Sequence, residues 1–382
     1  MTGSPLLEVK GLSFSYDGGS AVLRDIGFQV EPGEVFVILG ANSAGKSTLL
    51  NRMDSKTLRQ ELGRILLRSG RISLELYKIM IPIIIAVKIL QELDLISWLA
   101  LPLEPFMRLV GLPGEMGLVW ATAMINTTYA AMIVFVSLAD QHALTVAQVT
   151  VLCTMILVAH SLPVELQVVR KSGPRLGFQA FLRIAGALLL GWMLARAYTW
   201  GGWLQEANTL LWQPEPEEAG LLDWGLGQLQ NLGMIFVIIT ALNIIMSVLT
   251  AMGLTTLCVQ ILSPVLRMLG IGSEAGTLTI VGMVMGLSYG GGMIMHEAHS
   301  GQVPDKDIFS SLSLMGLCHA IFEDTLLMAV LGGHMSGLLW GRLAFTLLAV
   351  ALLARAVVWL GDGFFYRYLF RPVEVYAPPK AA

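Results

Sequence analysis

Two long apolar stretches of this chain carry ionisable and amide side chains at depths where lipid would offer no partners. The first holds Asn126, Thr127, Thr128 and Tyr129, then His160 and Glu165. The second holds Ser288 and Tyr289 ahead of Gly290, Gly291 and Gly292, then His296, Glu297, His299, His319, Glu323 and Asp324. Ionisable groups inside apolar segments are costly, so they face a cavity or a partner and mark a path for a solute or ion. His319 and Glu323 are four apart and would share one helix face. Successive glycines would open a helix and let backbone groups meet a ligand. The expected substrate-contacting set is therefore Asn126, Thr128, Tyr129, His160, Glu165, Ser288, Tyr289, Gly290, His319, Glu323 and Asp324. Each has a packing alternative: Asn, Ser and Thr bond neighbouring helices in membranes, and a His–Glu pair can satisfy itself. The string His296, Glu297, Ala298, His299 lacks the i, i+4 histidines of a zinc helix, and no metal site is expected there or elsewhere in the apolar stretches.

A different chemistry is written near the N-terminus. Residues 40–48, GANSAGKST, fit the P-loop pattern, follow the apolar run 35–39 and precede Leu49 and Leu50. In that context, backbone amides from Gly40 to Gly45, Asn42 among them, and the helix start at Thr48 would cradle phosphates. Lys46 would reach the terminal phosphate oxygens and Ser47 would hold magnesium. Together with residues 7–16 and 22–26, this segment resembles the opening of an ABC-transporter ATPase. The resemblance implies ATP and magnesium at Gly40, Asn42, Gly45, Lys46, Ser47 and Thr48, with Tyr16 stacked on adenine. Ser43 stands where that family has glycine. The likeness ends near Met53, before any Walker B strand, ABC signature or switch histidine. ATP hydrolysis by this chain alone is not expected, and residues 1–53 read as a truncated ABC remnant or a gene-fusion product.

The elements that must position the apolar-stretch residues repeat. At an offset of 159, Leu90 falls on Leu249, Pro105 on Pro264, Arg108 on Arg267, Gly111 on Gly270 and Glu115 on Glu274. The register continues through His160 on His319, Arg183 on Arg342 and Trp200 on Trp359. Residues this scarce do not match by shared greasiness. Two copies of one module, 74–202 and 233–361, make up most of the chain, a scaffold that places a transport site between its halves.

Composition sets the solvent. Hydrophobic residues are 55% of the 382, charged ones 13%, and mean hydropathy is +0.70, too apolar for a water-soluble fold. The apolar runs suit membrane helices and lack the alternation of a barrel. A net charge of −3 gives nucleic acid no purchase. Cys153, Cys258 and Cys318 sit in apolar segments without CxxC spacing and read as small core residues. No basic-then-apolar leader is present, so the first span is expected to direct insertion.

Charge then orients the chain. A basic run from Arg52 to Lys78 precedes the first span, which places that end in the cytoplasm. The linker after the first module has no Lys or Arg and carries acids with Pro214 and Pro216, as a flexible outer loop would. Arg367, Arg371 and Lys380 return the tail to the cytoplasm. Each module must make an odd number of crossings, so the two are inverted. The basic loop Arg170 to Arg175 and its uncharged counterpart Ala329 to His334 fit opposite faces. Apolar pieces broken at Asp140–His142 and at His296–Gly301 read as broken or re-entrant helices.

Residues 111–115, GLPGE, and the run from Ser311 to Thr325, SLSLMGLCHAIFEDT, resemble the nucleoside-recognition or gate-domain membrane proteins. That group takes in the gates of bacterial ferrous-iron permeases and the spore-maturation membrane proteins. The likeness covers residues 56–370 and speaks to fold more than to substrate.

The expected architecture is an all-α polytopic membrane protein with two inverted gate-type repeats and a short α/β P-loop fragment in front. Its parts are the ABC-like fragment 1–53, a basic cytoplasmic linker 54–73, repeat one 74–202, an acidic non-cytoplasmic linker 203–232, repeat two 233–361 and a cytoplasmic tail 362–382. The expected function is an inner-membrane transporter or gate for a small polar solute or ion. The alternative is an ATP-binding ABC component whose nucleotide domain is incomplete or completed in trans. Expected partners are the lipid bilayer, the solute, and a second copy or another membrane protein, with no nucleic acid.

Overall fold

A computed structural model describes residues 7–14, 23–30, 58–93, 95–139, 142–209 and 220–373. The chain divides into a small unit, Met1–Leu67, and a large one, Arg68–Ala382. In the small unit, β1 (Leu7–Phe14) pairs antiparallel with β2 (Leu23–Val30), Leu7 opposite Val30 and Phe14 opposite Leu23. Tyr16, Gly40, Asn42, Gly45, Lys46, Ser47 and Thr48, where nucleotide contacts are expected, lie outside the described residues.

The large unit is helical and built as two runs of equivalent elements. The first comprises α1 (Leu58–Glu92), α2 (Ile96–Ala100), α3 (Glu104–Leu109), α4 (Met116–Ile125), α5 (Thr128–Ala139), α6 (Val146–Val158), α7 (Leu162–Lys171) and α8 (Leu176–Gly201). The second comprises α9 (Leu221–Ala251), α10 (Leu254–Met268), α11 (Ser273–Met285), α12 (Leu287–Ser300), α13 (Asp305–Leu317), α14 (Glu323–Val330) and α15 (Arg342–Phe364), the last flanked by π turns at Ser336–Gly341 and Phe365–Leu369. α6 and α13 are 159 apart at both ends (305 − 146 and 317 − 158). Left-handed backbone recurs at the same interval, at Gly111 and Gly270, Gly173 and Gly332, Gly202 and Gly361, and Ser161 and Ala320.

The equivalent first helices lie side by side and run in opposite directions. Asn243 Nδ2 donates to Ser69 Oγ at 3.2 Å, the Tyr77 hydroxyl donates to the Leu232 carbonyl at 2.5 Å, and Lys88 Nζ sits 6.0 Å from the Trp224 ring centre. As residue numbers rise along α1, their partners on α9 fall.

Among the described residues, four helical segments are long and apolar enough to cross a membrane: Val146–Lys171, Leu176–Gly201, Trp224–Thr250 and Ser336–Leu369. The first is 78% buried within the protein and the last two 17%, so α6 is a central element and α9 and α15 are peripheral ones. α13 matches α6 in this, with every residue from Ile308 to Leu317 buried. Phe309 packs its ring 5.5 Å from Phe178 and edge-on to Phe365 at 5.4 Å, tying α13 to α8 and to the last turn of the chain's helical part.

Several boundaries differ from expectation. Residues 58–73 are not a linker but the first turns of α1, because Leu, Arg, Glu and Gln are strong helix formers and nothing in the run stops a helix. The acidic linker is shorter than expected: α9 begins at Leu221, and residues 203–209 are tied down. Val146 N–H donates to the Glu206 carbonyl at 3.0 Å, and Asn208 reaches the Leu144 and Leu331 carbonyls at 2.8 and 3.0 Å. The tail is likewise anchored, Arg371 N–H donating to the Gly173 carbonyl at 2.8 Å. The string His296–Ser300 stays helical because His299 Nδ1 and Ser300 Oγ bond carbonyls of the preceding turn at 2.7 and 2.8 Å. The helix ends only at Gly301.

Candidate functional site

The site is made where two central helices stop inside the protein. α6 ends at Ala159 (φ −133°, ψ 77°), Ser161 turns left-handed (φ 49°), and α7 restarts at Leu162. α13 ends at Cys318 (φ −147°, ψ 85°), Ala320 turns left-handed (φ 44°), and α14 restarts at Glu323. Each break frees carbonyls that an α-helix leaves unpaired at its C-terminus. An arginine from the next long helix takes them. Arg183 donates through Nε to the Val158 carbonyl and through Nη2 to the His160 carbonyl, both at 2.9 Å. Arg342 donates to the carbonyls of Leu317 and His319 at 3.2 and 2.7 Å. A guanidinium suits this place twice over, as a planar multiple donor and as a cation at the negative end of a helix.

The freed histidines then meet. His160 Nε2 and His319 Nε2 are 3.1 Å apart, and each ring is held from behind by its Nδ1, against the Ile156 carbonyl at 3.0 Å and the Met315 carbonyl at 2.8 Å. Glu165, in the first turn of α7, sends Oε2 to Arg183 Nη1 at 2.5 Å. Its Oε1 lies 3.1 Å from His319 Nε2 and 3.5 Å from His160 Nε2. Asp324, in the first turn of α14, places Oδ2 3.5 Å from His160 Nε2. All six are buried: His160 is 5% exposed, Glu165 6%, Arg183 1%, His319 2%, Asp324 9% and Arg342 0%. The carboxylates stand at helix N-termini and the guanidinium ions at helix C-termini, each the favourable end for its charge.

Of the expected contact residues, His160, Glu165, His319 and Asp324 come together. Glu323 does not join them and is exposed. The i, i+4 argument fails because residues 318–322 are not helical and the left-handed turn at Ala320 rotates α14, so Asp324 faces inward instead. Tyr129 is near the cluster, within electrostatic reach of Glu323 and Asp324. Asn126 ends α4, and its carbonyl accepts from Ser161 Oγ at 2.6 Å, which braces the first break, while Thr128 is buried in the first turn of α5. Ser288, Tyr289 and Gly290 fall in the first turn of α12, and their side chains lie outside the described residues. Sequence reasoning missed Arg183 and Arg342 as site residues. Their signal was present: each is an arginine inside an apolar helix, matched at the repeat interval.

The ABC transporter family matches residues 23–83, which reaches past Met53 into α1. The chain is similar to an uncharacterized membrane protein, YvoD, of Bacillus subtilis: 28% identical over 263 residues, covering 67% of this chain and 81% of that protein. Its N-terminal part is 44% identical over 64 residues to the cobalt import ATP-binding protein CbiO of Rhodobacter capsulatus. It is also 43% identical over 63 residues to the energy-coupling factor transporter ATP-binding protein EcfA of Methanocaldococcus jannaschii. These two matches cover 17% and 16% of this chain and 22% of each relative. No solved structure matches. The chain is thus a largely helical membrane protein, transporter-like, with a partial ABC ATPase region in front.

Proposed function

We propose that this chain is an inner-membrane transporter or gate of the nucleoside-recognition type. In this reading it moves a small polar solute or ion through a site between two inverted modules. The observation that carries the reading is the meeting of His160 and His319, equivalent residues of the two modules, at 3.1 Å inside an apolar interior. A contact between the same position of two related units is what a two-fold axis produces. The opposite directions of α1 and α9 support an axis lying in the membrane plane, which inverts one module against the other. The broken helices α6–α7 and α13–α14 then bring their ends to the midplane, as in transporters built from such repeats. N- and C-termini are cytoplasmic in this arrangement.

Uptake into proteoliposomes tests it, with nucleosides, nucleobases and divalent cations offered with and without a proton gradient. At least one solute should enter the wild type and not the His160→Gln, His319→Gln double variant. Entry at equal rates in both would defeat the reading.

A second reading is favoured by the family match at residues 23–83. Here the chain is an ATP-binding ABC component, with ATP and magnesium at Lys46 and Ser47 and its nucleotide domain completed in trans. Phosphate release lost in Lys46→Ala supports that reading, and release unchanged by the substitution opposes it.

A further inference from the structure

We propose that His160, His319 and Glu165, with Asp324 as fourth donor, bind one divalent zinc-type cation that clasps the two modules together. This holds whether or not the protein transports anything. It departs from the expectation that the chain holds no metal site, and it rests on residues other than the His296–His299 string.

Nδ1 of His160 and Nδ1 of His319 both face backbone carbonyls, at 3.0 and 2.8 Å. A carbonyl only accepts, so each Nδ1 carries the hydrogen, and the neutral ring presents a bare lone pair at Nε2. Those two lone pairs point into one space from 3.1 Å apart. Glu165 Oε1 enters the same space at 3.1 and 3.5 Å from the two Nε2 atoms, and Asp324 Oδ2 enters at 3.5 Å from His160 Nε2. Three acceptors therefore converge, with Asp324 beside one of them. Arg183 is engaged by Glu165's other oxygen and two carbonyls, and Arg342 points two of its nitrogens at carbonyls. A cation placed among these atoms would relieve the repulsion between their lone pairs.

Spacing and donor type narrow the choice. Nitrogen and oxygen ligands at about 2.0–2.1 Å from a tetrahedral zinc ion stand roughly 3.3 Å from one another. The separations among His160, His319 and Glu165, 3.1 to 3.5 Å, bracket that value. Two imidazoles with carboxylates suit zinc and its neighbours, whereas magnesium and calcium favour all-oxygen sets. The Nδ1 contacts to carbonyls are the outer-shell bonds that orient metal-binding histidines. Because His160 and Glu165 come from one module and His319 and Asp324 from the other, an ion here would hold the breaks of both.

Cobalt(II) titration of the chelator-treated full chain in detergent tests the proposal, read from visible absorption and from thermal unfolding. One equivalent per chain should give the strong bands of tetrahedral cobalt, displaced by zinc, and the bound ion should raise the unfolding temperature. His160→Gln and His319→Gln should each weaken binding by about 100-fold, while His142→Gln, outside the cluster, should bind as the wild type does. If either cluster variant fails to fold, X-ray absorption of the zinc-loaded wild type decides, and it should show two imidazole nitrogens on the metal. Absent cobalt bands, binding that survives both substitutions, or an all-oxygen shell would overturn the proposal and leave a shared proton between the rings. The assay needs no flux, so its failure is separate from failure of the transport reading.

Discussion

The two halves of the buried cluster use the same plan and differ by one methylene. In the first module Glu165 reaches Arg183 Nη1, and the guanidinium that caps the α6 break is fully paired. In the second, the residue at the equivalent position is Asp324, one carbon shorter. Arg342 caps the α13 break with Nε and Nη2, but its Nη1 is buried without a partner. The carboxylate that falls short of Arg342 stands instead 3.5 Å from His160, across the boundary between the modules. The difference teaches how a duplicated site acquires a direction. Two equal halves would hold two equal ion pairs, whereas shortening one acid releases it from its own arginine and turns it toward the other half.

The largest expected effect comes from breaking the complete half. Arg183→Met strands the Glu165 charge and two carbonyls, and it should destabilise the protein by roughly 3–5 kcal/mol in denaturant titrations in detergent. Arg342→Met strands carbonyls but no fully formed ion pair, so about 2 kcal/mol is expected. Equal losses in the two variants would mean that the halves are energetically alike. Asp324→Glu restores the missing methylene and should let the carboxylate reach Arg342 Nη1, for a gain of about 1 kcal/mol. A loss would show that Asp324 is held in place by its contact across the boundary. Smallest is Ala320→Gly, which relieves a left-handed φ of 44° in a residue with a Cβ and should stabilise by under about 1 kcal/mol. Ser161→Gly, at φ 49°, relieves the same backbone strain but loses the Oγ bond to the Asn126 carbonyl, so it should stabilise less than Ala320→Gly or destabilise.

The plan of the fold was readable because scarce residues carry the repeat: His160 with His319 and Arg183 with Arg342 give the interval without any structure. Glu165 and Asp324 were both expected contacts, but not as an equivalent pair. Glu165 and Asp324 obey the same interval, but the side chain changes between copies, and Glu323 beside it fitted a helical spacing better. That spacing assumed a helix through residues 318–322, and no residue there announces a break: Ala320 is an ordinary helix former held left-handed by its surroundings. The arginines were visible as matched residues, yet their work is to cap carbonyls, and those carbonyls exist only once the helices are known to stop. The linker bounds failed for a simpler reason. Charge led to the expectation of a linker at residues 58–73, but charge does not prevent a helix.

The claim beneath the rest is that the modules face opposite ways across the bilayer. Arg175 and His334 are equivalent positions and both are exposed. With Cys153, Cys258 and Cys318 replaced by Ala, single cysteines at these two sites should be labelled by a membrane-impermeant maleimide from opposite faces, Arg175→Cys from the cytoplasm and His334→Cys from outside. Labelling of both from the same face would contradict the account.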